Sequence, residues 1–418
     1  MATAERLPPA QIQTRQLAQL SRLAQHFAHH SPRFAERLHA ARLSPADLAR
    51  KTGLAALPPM DRRWLQHAQG LFASALPPGH EPRATNSTSG STGEPVTVQR
   101  THITQLVWLA NILREHRWRG SDFTMPLAAI RANIDAPRPL PGWGPPADFL
   151  TQTGPSVGIP ITWDASRLYD YLREYRPGNL LIYPTTLTAL IDLAPTRGRF
   201  LPPGAMIRTI GETVSPHLRA RCSEILGIAI QDTYSSQEIG HIAIQCPDHM
   251  AYHTAAESIL VEVLHPDGTA CKPGETGAVV VTDLINTATP LIRYAIGDHA
   301  EVAAPCPCGR TGPTLRRIMG RERNMIVMPG GARHWPLVGF DAFRNLAPVR
   351  QYQLIQHDPD RIEARFAITA PVTPAQDADL RNHLQTVLGH PFTLDVRYYT
   401  EDLPGSRTGK FEEFLRLF

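Results

Sequence analysis

Between Leu180 and Ile244 short apolar runs alternate with stretches of helical periodicity, the runs falling at Asn179–Tyr183, Ala205–Ile210 and Ile228–Asp232. That alternation predicts strands in an α/β arrangement and excludes an all-helical or all-β chain. Downstream the pattern turns β-rich, with strand-like segments at Ile259–Leu264 and Ala278–Thr282 around the turn residues His265-Pro266-Asp267-Gly268. The last hundred or so residues read as a separate small α+β unit, with strands near Gln351–Gln356, Arg361–Ile368 and Thr393–Tyr399 and a helix over Pro374–Leu388. Upstream, Leu17, Leu20, Leu23 and Phe27 recur at helical spacing within Gln11–His29, and Pro32, Pro45, Pro58 and Pro59 then punctuate short helical pieces. Two stretches read as breaks: Ala84–Gly93, rich in small hydroxyl residues and glycine, as a loop, and Pro137–Pro146, around Trp143, as a connection or pocket wall.

Composition narrows the function. The 42 basic residues against 38 acidic ones give a net charge of +4 without a basic run, so no footprint for a nucleic-acid backbone is present. No stretch reaches the about 18 to 20 apolar residues of a membrane span, and the first residues lack the order of a secretory signal, so a cytoplasmic protein without membrane partners is expected. The five cysteines, at 222, 246, 271, 306 and 308, are too few and too unevenly placed for a secreted disulfide framework, so paired use points to a metal.

Ser89-Gly90-Ser91-Thr92-Gly93-Glu94 is not a Walker A loop, because no Gly-Lys-Ser/Thr follows. Exposed backbone N–H groups alternating with hydroxyls are nevertheless what a polyphosphate cradle requires, as against a plain flexible linker. Thr88–Pro95 resembles the phosphate loop of the adenylate-forming superfamily, which holds acyl- and aryl-CoA ligases, adenylation domains and luciferases. Four later segments resemble that superfamily's motifs in order: Asp232-Thr233-Tyr234-Ser235-Ser236-Gln237-Glu238, Arg293-Tyr294-Ala295-Ile296-Gly297-Asp298, Gly320-Arg321, and Ser406-Arg407-Thr408-Gly409-Lys410. The nearer resemblance is to the phenylacetate-CoA ligase branch, through His30-Ser31-Pro32 and Thr289–Tyr294.

The resemblance implies a large N-terminal ATP- and acid-binding domain over residues 1–320, with α/β sheets and a β-rich subdomain, and a small mobile α+β lid over 321–418 hinged near residue 323. It implies attack of a carboxylate on the α-phosphorus of ATP to give acyl-AMP, then transfer to the thiol of CoA or of a carrier-protein phosphopantetheine. Thr88, Ser89, Gly90, Ser91, Thr92 and Gly93 would hold the phosphates and Glu238 the Mg²⁺. Gly211, Glu212, Asp232, Thr233 and Tyr234 would line the adenine, Asp298 and Arg321 would reach the ribose, and Ser235, Ser236 and Gly240 would border an acid, expected to be aromatic. Lys410 would be the catalytic cation of adenylation, alongside Glu238. An acyl carrier protein as partner and a homodimer are compatible with this reading. Glu94 and Arg323-Asn324 depart from the superfamily's usual lysine and acidic hinge residues, and Ala295 from the polar residue expected after Arg293-Tyr294. The competing readings use the same residues: adenylation with transfer to an amine or other acceptor, or a nucleotide-binding protein without turnover.

Cys306-Pro307-Cys308 and Cys246-Pro247-Asp248-His249, with His253 beyond, supply thiolates and imidazoles that suit a closed, structural Zn²⁺ site. The expected set is Cys246, His253, Cys306 and Cys308, with His249 as the substitute, and a similar pattern occurs in some members of the branch.

Overall fold

The computed structural model describes residues 4–418 apart from 68, 88–94, 133, 322–324, 332, 335–339, 402 and 404–412, with backbone alone at 321, 333–334 and 340–342. The chain divides into two compact units, one of Met1–Val214 with Cys222–Met319, the other of Ser215–Arg221 with Gly320–Phe418.

The first unit is built on a 12-stranded sheet. Four strands, Ser156–Pro160, Leu127–Arg131, Asn179–Ile182 and Met206–Thr209, run parallel in that spatial order. The next strand, Ile230–Ser236, changes character halfway. Its residues 230–232 pair in parallel with Ile207–Thr209, whereas 233–236 pair antiparallel with Gly240–Gln245. Beyond this seam lie Tyr252–Thr254, Thr314–Arg321, Tyr294–Val302, Thr276–Asp283 and Ile259–Leu264.

Helices cover the parallel half because its strands are apolar on both faces. In the helix Ala165–Tyr175, Asp164 caps the start by accepting from the Arg167 N–H, and Leu168, Tyr169 and Leu172 are buried. The helix Pro184–Arg197 buries Leu187, Leu190, Ile191 and Ala194. The first helix, Pro9–His30, packs Leu20, Leu23 and Phe27 with Phe34, Leu38 and Leu48 in a separate small core.

Two sequence-based loops contain strand. Arg83–Ser87 pairs with Thr97–Thr101 as a hairpin, because Thr85 and the residues beside it present extended backbone to a partner that needs it. Arg138–Leu140 forms the edge of the large sheet, where Pro139 is tolerated because an outer strand has no second ladder to feed.

In the second unit, a four-stranded sheet orders Thr393–Tyr399, Arg361–Ile368, Val349–Asp358 and Phe414–Arg416. The helix Pro374–Leu388 starts at a Thr373/Gln376 capping box, and Leu380, Leu384 and Leu388 at helical spacing join Phe343 and Phe366 in the core. No helix of the described residues is long and apolar enough to cross a membrane.

Candidate active site

The seam strand carries five of the residues singled out in the sequence, Asp232 to Ser236. At this strand the sheet passes from parallel to antiparallel pairing, and residues of three neighbouring strands converge on it. Asp232 stands at the last parallel pair and is almost fully buried. Its carboxylate accepts from the Thr209 hydroxyl at 2.8 Å and the Tyr252 hydroxyl at 2.7 Å, and its N–H donates to Gln245 Oε1 at 3.0 Å. Two residues on, the buried Tyr234 donates its hydroxyl to Asp298 Oδ2 at 2.8 Å. Asp298 lies on the strand Tyr294–Val302, so this bond draws together two motifs 64 residues apart.

Gly211 and Glu212 follow the strand that supplies Thr209. Gly211 has φ +79°, which a Cβ would strain. Glu212 turns its carboxylate to the start of the helix Pro184–Arg197, accepting from the Thr185 N–H and hydroxyl, both at 2.9 Å. Ser236 Oγ accepts from the Ile239 N–H at 3.1 Å and fixes the turn into Gly240, whose φ is +93°. Trp108 presses on that glycine, within 3.4 Å of where a Cβ would stand.

Beneath the seam runs a buried ionic network that the sequence reading did not single out. The helix His102–Arg119 buries Arg114, Glu115, His116 and Arg119 rather than an apolar stripe. Glu115 accepts from Arg119 at 2.6 Å and from the Thr233 hydroxyl at 2.5 Å, with Arg208 at 3.5 Å and His241 at 3.7 Å. Arg119 also donates to the Asp232 carbonyl at 3.0 Å. Burial opposes ionisation of Glu115, but Arg119, Arg208 and His241 outweigh it and hold the carboxyl well below its usual range. Burial, with Arg208 adding to it, pushes His116 down to about 3, so that imidazole is neutral. The network's signal was the dense run Arg114-Glu115-His116-Arg117-Trp118-Arg119, whose charges occupy both faces of one helix.

Glu238 is buried and pairs with Arg62 at 3.1 Å. Arg100, at the foot of the hairpin that leads to residues 88–94, donates to the Gln237 carbonyl. Thr88, Ser89, Gly90, Ser91, Thr92, Gly93, Glu94, Arg323, Asn324 and Lys410 lie outside the described residues, as does the Arg321 side chain.

Cys246, His253, Cys306 and Cys308 converge, their ligand atoms all within 4.8 Å of one another. Tetrahedral ligation at about 2.3 Å for sulfur and 2.0–2.1 Å for nitrogen requires S···S edges near 3.8 Å and S···N edges near 3.5 Å. The Cys246–Cys306 sulfurs are 3.8 Å apart and Cys308 Sγ is 3.4 Å from His253 Nε2, so the donor set fits a zinc-sized ion. Burial lowers His253 to about 4, leaving a neutral ring with a lone pair to give. His253 Nδ1 is buried without a hydrogen-bond partner among the described residues, so the outer donor contact usual for a metal-bound imidazole is lacking there. Cys246 directly follows Gln245, the residue that holds the Asp232 N–H.

No family model matches the chain. A phenylacetate-coenzyme A ligase of Thermus thermophilus is 31% identical over 118 residues, 27% of this chain and 26% of that enzyme. The chain thus aligns with about a quarter of that relative's length. A phenylacetate-coenzyme A ligase of Escherichia coli is 24% identical over 328 residues, 77% of this chain and 73% of the other. A solved 2-hydroxyisobutyryl-CoA ligase in the postadenylation state, in complex with R3-HIB-AMP, superposes with a TM-score of 0.78 at 20% identity, covering 98% of this chain and 90% of that one. An anthranilate CoA ligase in complex with anthranoyl-AMP gives 0.59 at 18% identity, covering 78% and 64%. Over most of its length the chain is thus similar in sequence to phenylacetate-coenzyme A ligases, and it shares the fold of the solved CoA ligases.

Proposed function

We propose that this protein activates a small carboxylic acid with ATP and Mg²⁺ and passes the acyl group to the thiol of CoA. A carboxylate oxygen bonds to the α-phosphorus as the bond to pyrophosphate breaks; a thiolate then bonds to the acyl carbon as AMP leaves. The observation that carries this reading is the coupling of Asp298 to Tyr234 beside the buried Asp232, which holds together a carboxylate and an aromatic ring from two motifs that the resemblance assigns to the nucleoside. Asp298 receives the ribose hydroxyls, and Tyr234 with Gly211 and Asp232 borders the base.

Negative charge gathers on the phosphoryl oxygens, so fixed donors and cations lower the barrier. Residues 88–93 and Lys410 take these roles on the strength of their motifs. Mg²⁺ supplies a hard cation to the phosphates, and Glu238 would hold it, which requires Arg62 to give up its present partner. Trp108, against Gly240 and 6.2 Å from the His241 ring, offers an aromatic face beside Ser235 and Ser236 and supports an aromatic acid. A carrier-protein phosphopantetheine is the alternative thiol. The Cys246/His253/Cys306/Cys308 cluster holds a structural Zn²⁺, since four protein donors leave no open position.

The test is acid-dependent pyrophosphate release from MgATP over a panel of aryl and aliphatic acids, with and without CoA. Release that requires a particular acid, falls about 10²- to 10³-fold in Lys410→Ala, and yields a CoA thioester is the expected result. ATP binding without release for every acid would overturn the proposal.

A further inference from the structure

Apart from the seam, the first unit contains a cavity of about 350 Å³ that none of the residues assigned to nucleotide or acid lines. That volume lies within the about 300–1,000 Å³ range of small-molecule pockets. Its walls are the N-terminal segment, the helix Pro9–His30, the helix His102–Arg119 and the loop that carries Arg310, with Leu7, Ile12 and Trp118 as apolar surface.

The N-terminal wall is fixed rather than frayed. Trp118 Nε1 donates to Glu5 Oε2 at 3.1 Å, Arg114 Nε lies 3.0 Å from Glu5 Oε1, and the Thr311 N–H donates to the Glu5 carbonyl at 3.0 Å. Four arginines line the cavity against two carboxylates. Arg114 engages both of those carboxylates, Glu5 at 3.0 Å and Glu257 at 2.6 Å, and the Arg310 guanidinium lies over the Trp118 ring at 4.1 Å. Arg15 and Arg22 are left, two turns apart on one helix, both exposed and without an acidic partner among the described residues. An apolar chamber with guanidinium groups at its rim favours a ligand with an apolar body and an anionic head.

We propose that this cavity is a second ligand site, binding a small amphipathic organic carboxylate with its apolar part on Leu7, Ile12 and Trp118 and its carboxylate at Arg15 and Arg22. Trp118 and Arg114 share a helix with Glu115 and Arg119, so occupancy braces the element that supports the seam.

The test is calorimetric titration of the full chain with octanoate, 4-phenylbutanoate and, as the uncharged control, octan-1-ol. Arg15→Glu/Arg22→Glu reverses the rim charge and Ala18→Trp fills the chamber; all three positions are exposed, and circular dichroism checks that the variants fold. Saturable carboxylate binding is expected in the wild type, weakened at least about tenfold by the charge reversal and lost in Ala18→Trp, with octan-1-ol indifferent to the charge reversal. Heat that persists unchanged in both variants belongs to another site and overturns the proposal. Absence of binding by either carboxylate at millimolar concentration overturns it as well.

Discussion

Replacing Glu115 by alanine removes the carboxylate that pairs with both Arg119 and Arg208, whose side chains are 0% and 8% exposed, and takes the acceptor from the Thr233 hydroxyl. Breaking a buried pair from one side leaves an unpaired buried charge and destabilises by about 3–5 kcal/mol. Against a typical stability of about 5–15 kcal/mol, that is roughly a fifth or more of the whole. At about 2–4 °C per kcal/mol, the melting temperature should fall by roughly 6–20 °C. Glu115→Gln keeps the shape and an acceptor oxygen and should fall between the two. The assay is urea unfolding followed by tryptophan fluorescence, repeated as the pH is lowered. The folded-state carboxyl titrates well below its ordinary value of 4.5, so its contribution is complete above that value and is lost as the pH falls through the folded one. The gap between wild type and Glu115→Ala should therefore close on acidification. A gap under about 1 kcal/mol at pH 7, or one that does not change with acid, would refute the reasoning.

Metal analysis should find one zinc per chain, lost in Cys308→Ser together with thermal stability; a metal-free wild type of unchanged melting temperature would count against the site. Tyr234→Phe leaves the ring and removes the hydrogen bond to Asp298, so the KM for ATP should rise about 5- to 10-fold in a pyrophosphate assay while the melting temperature moves little. Arg62→Met frees Glu238 from its ion pair, and half-maximal rate should then need about 2- to 5-fold less Mg²⁺, read from a magnesium titration at fixed ATP.

The elements with a strong internal period were legible in the sequence. The helix Pro374–Leu388 and the strands Ile259–Leu264, Arg361–Ile368 and Thr393–Tyr399 coincide with the expected bounds, because a leucine every fourth residue or an apolar run between turn residues marks its own ends. Boundaries set by pairing were not. Ile228–Asp232 was read as a strand, but the observed one reaches Ser236, since its polar second half is held by the antiparallel partner 240–245. The seam residues stand out in the sequence through the motifs they resemble. The support under them was missed, because Glu115 and Arg208 are 93 residues apart and only the folded sheet joins them. Arg62 was hidden in the same way, 176 residues from its partner Glu238.

The strand Ile230–Ser236 answers to two phase conditions at once. Its first half must keep step with a parallel neighbour and its second with an antiparallel one. A slip by a single residue would send Asp232 and Tyr234 to the opposite faces and spoil both ladders together. The irregularity between Tyr234 and Ser235 lies within the antiparallel ladder, beyond the last parallel pair. The aim of these side chains is thus set twice over, by two independent ladders, and neither half of the sheet can drift without the other.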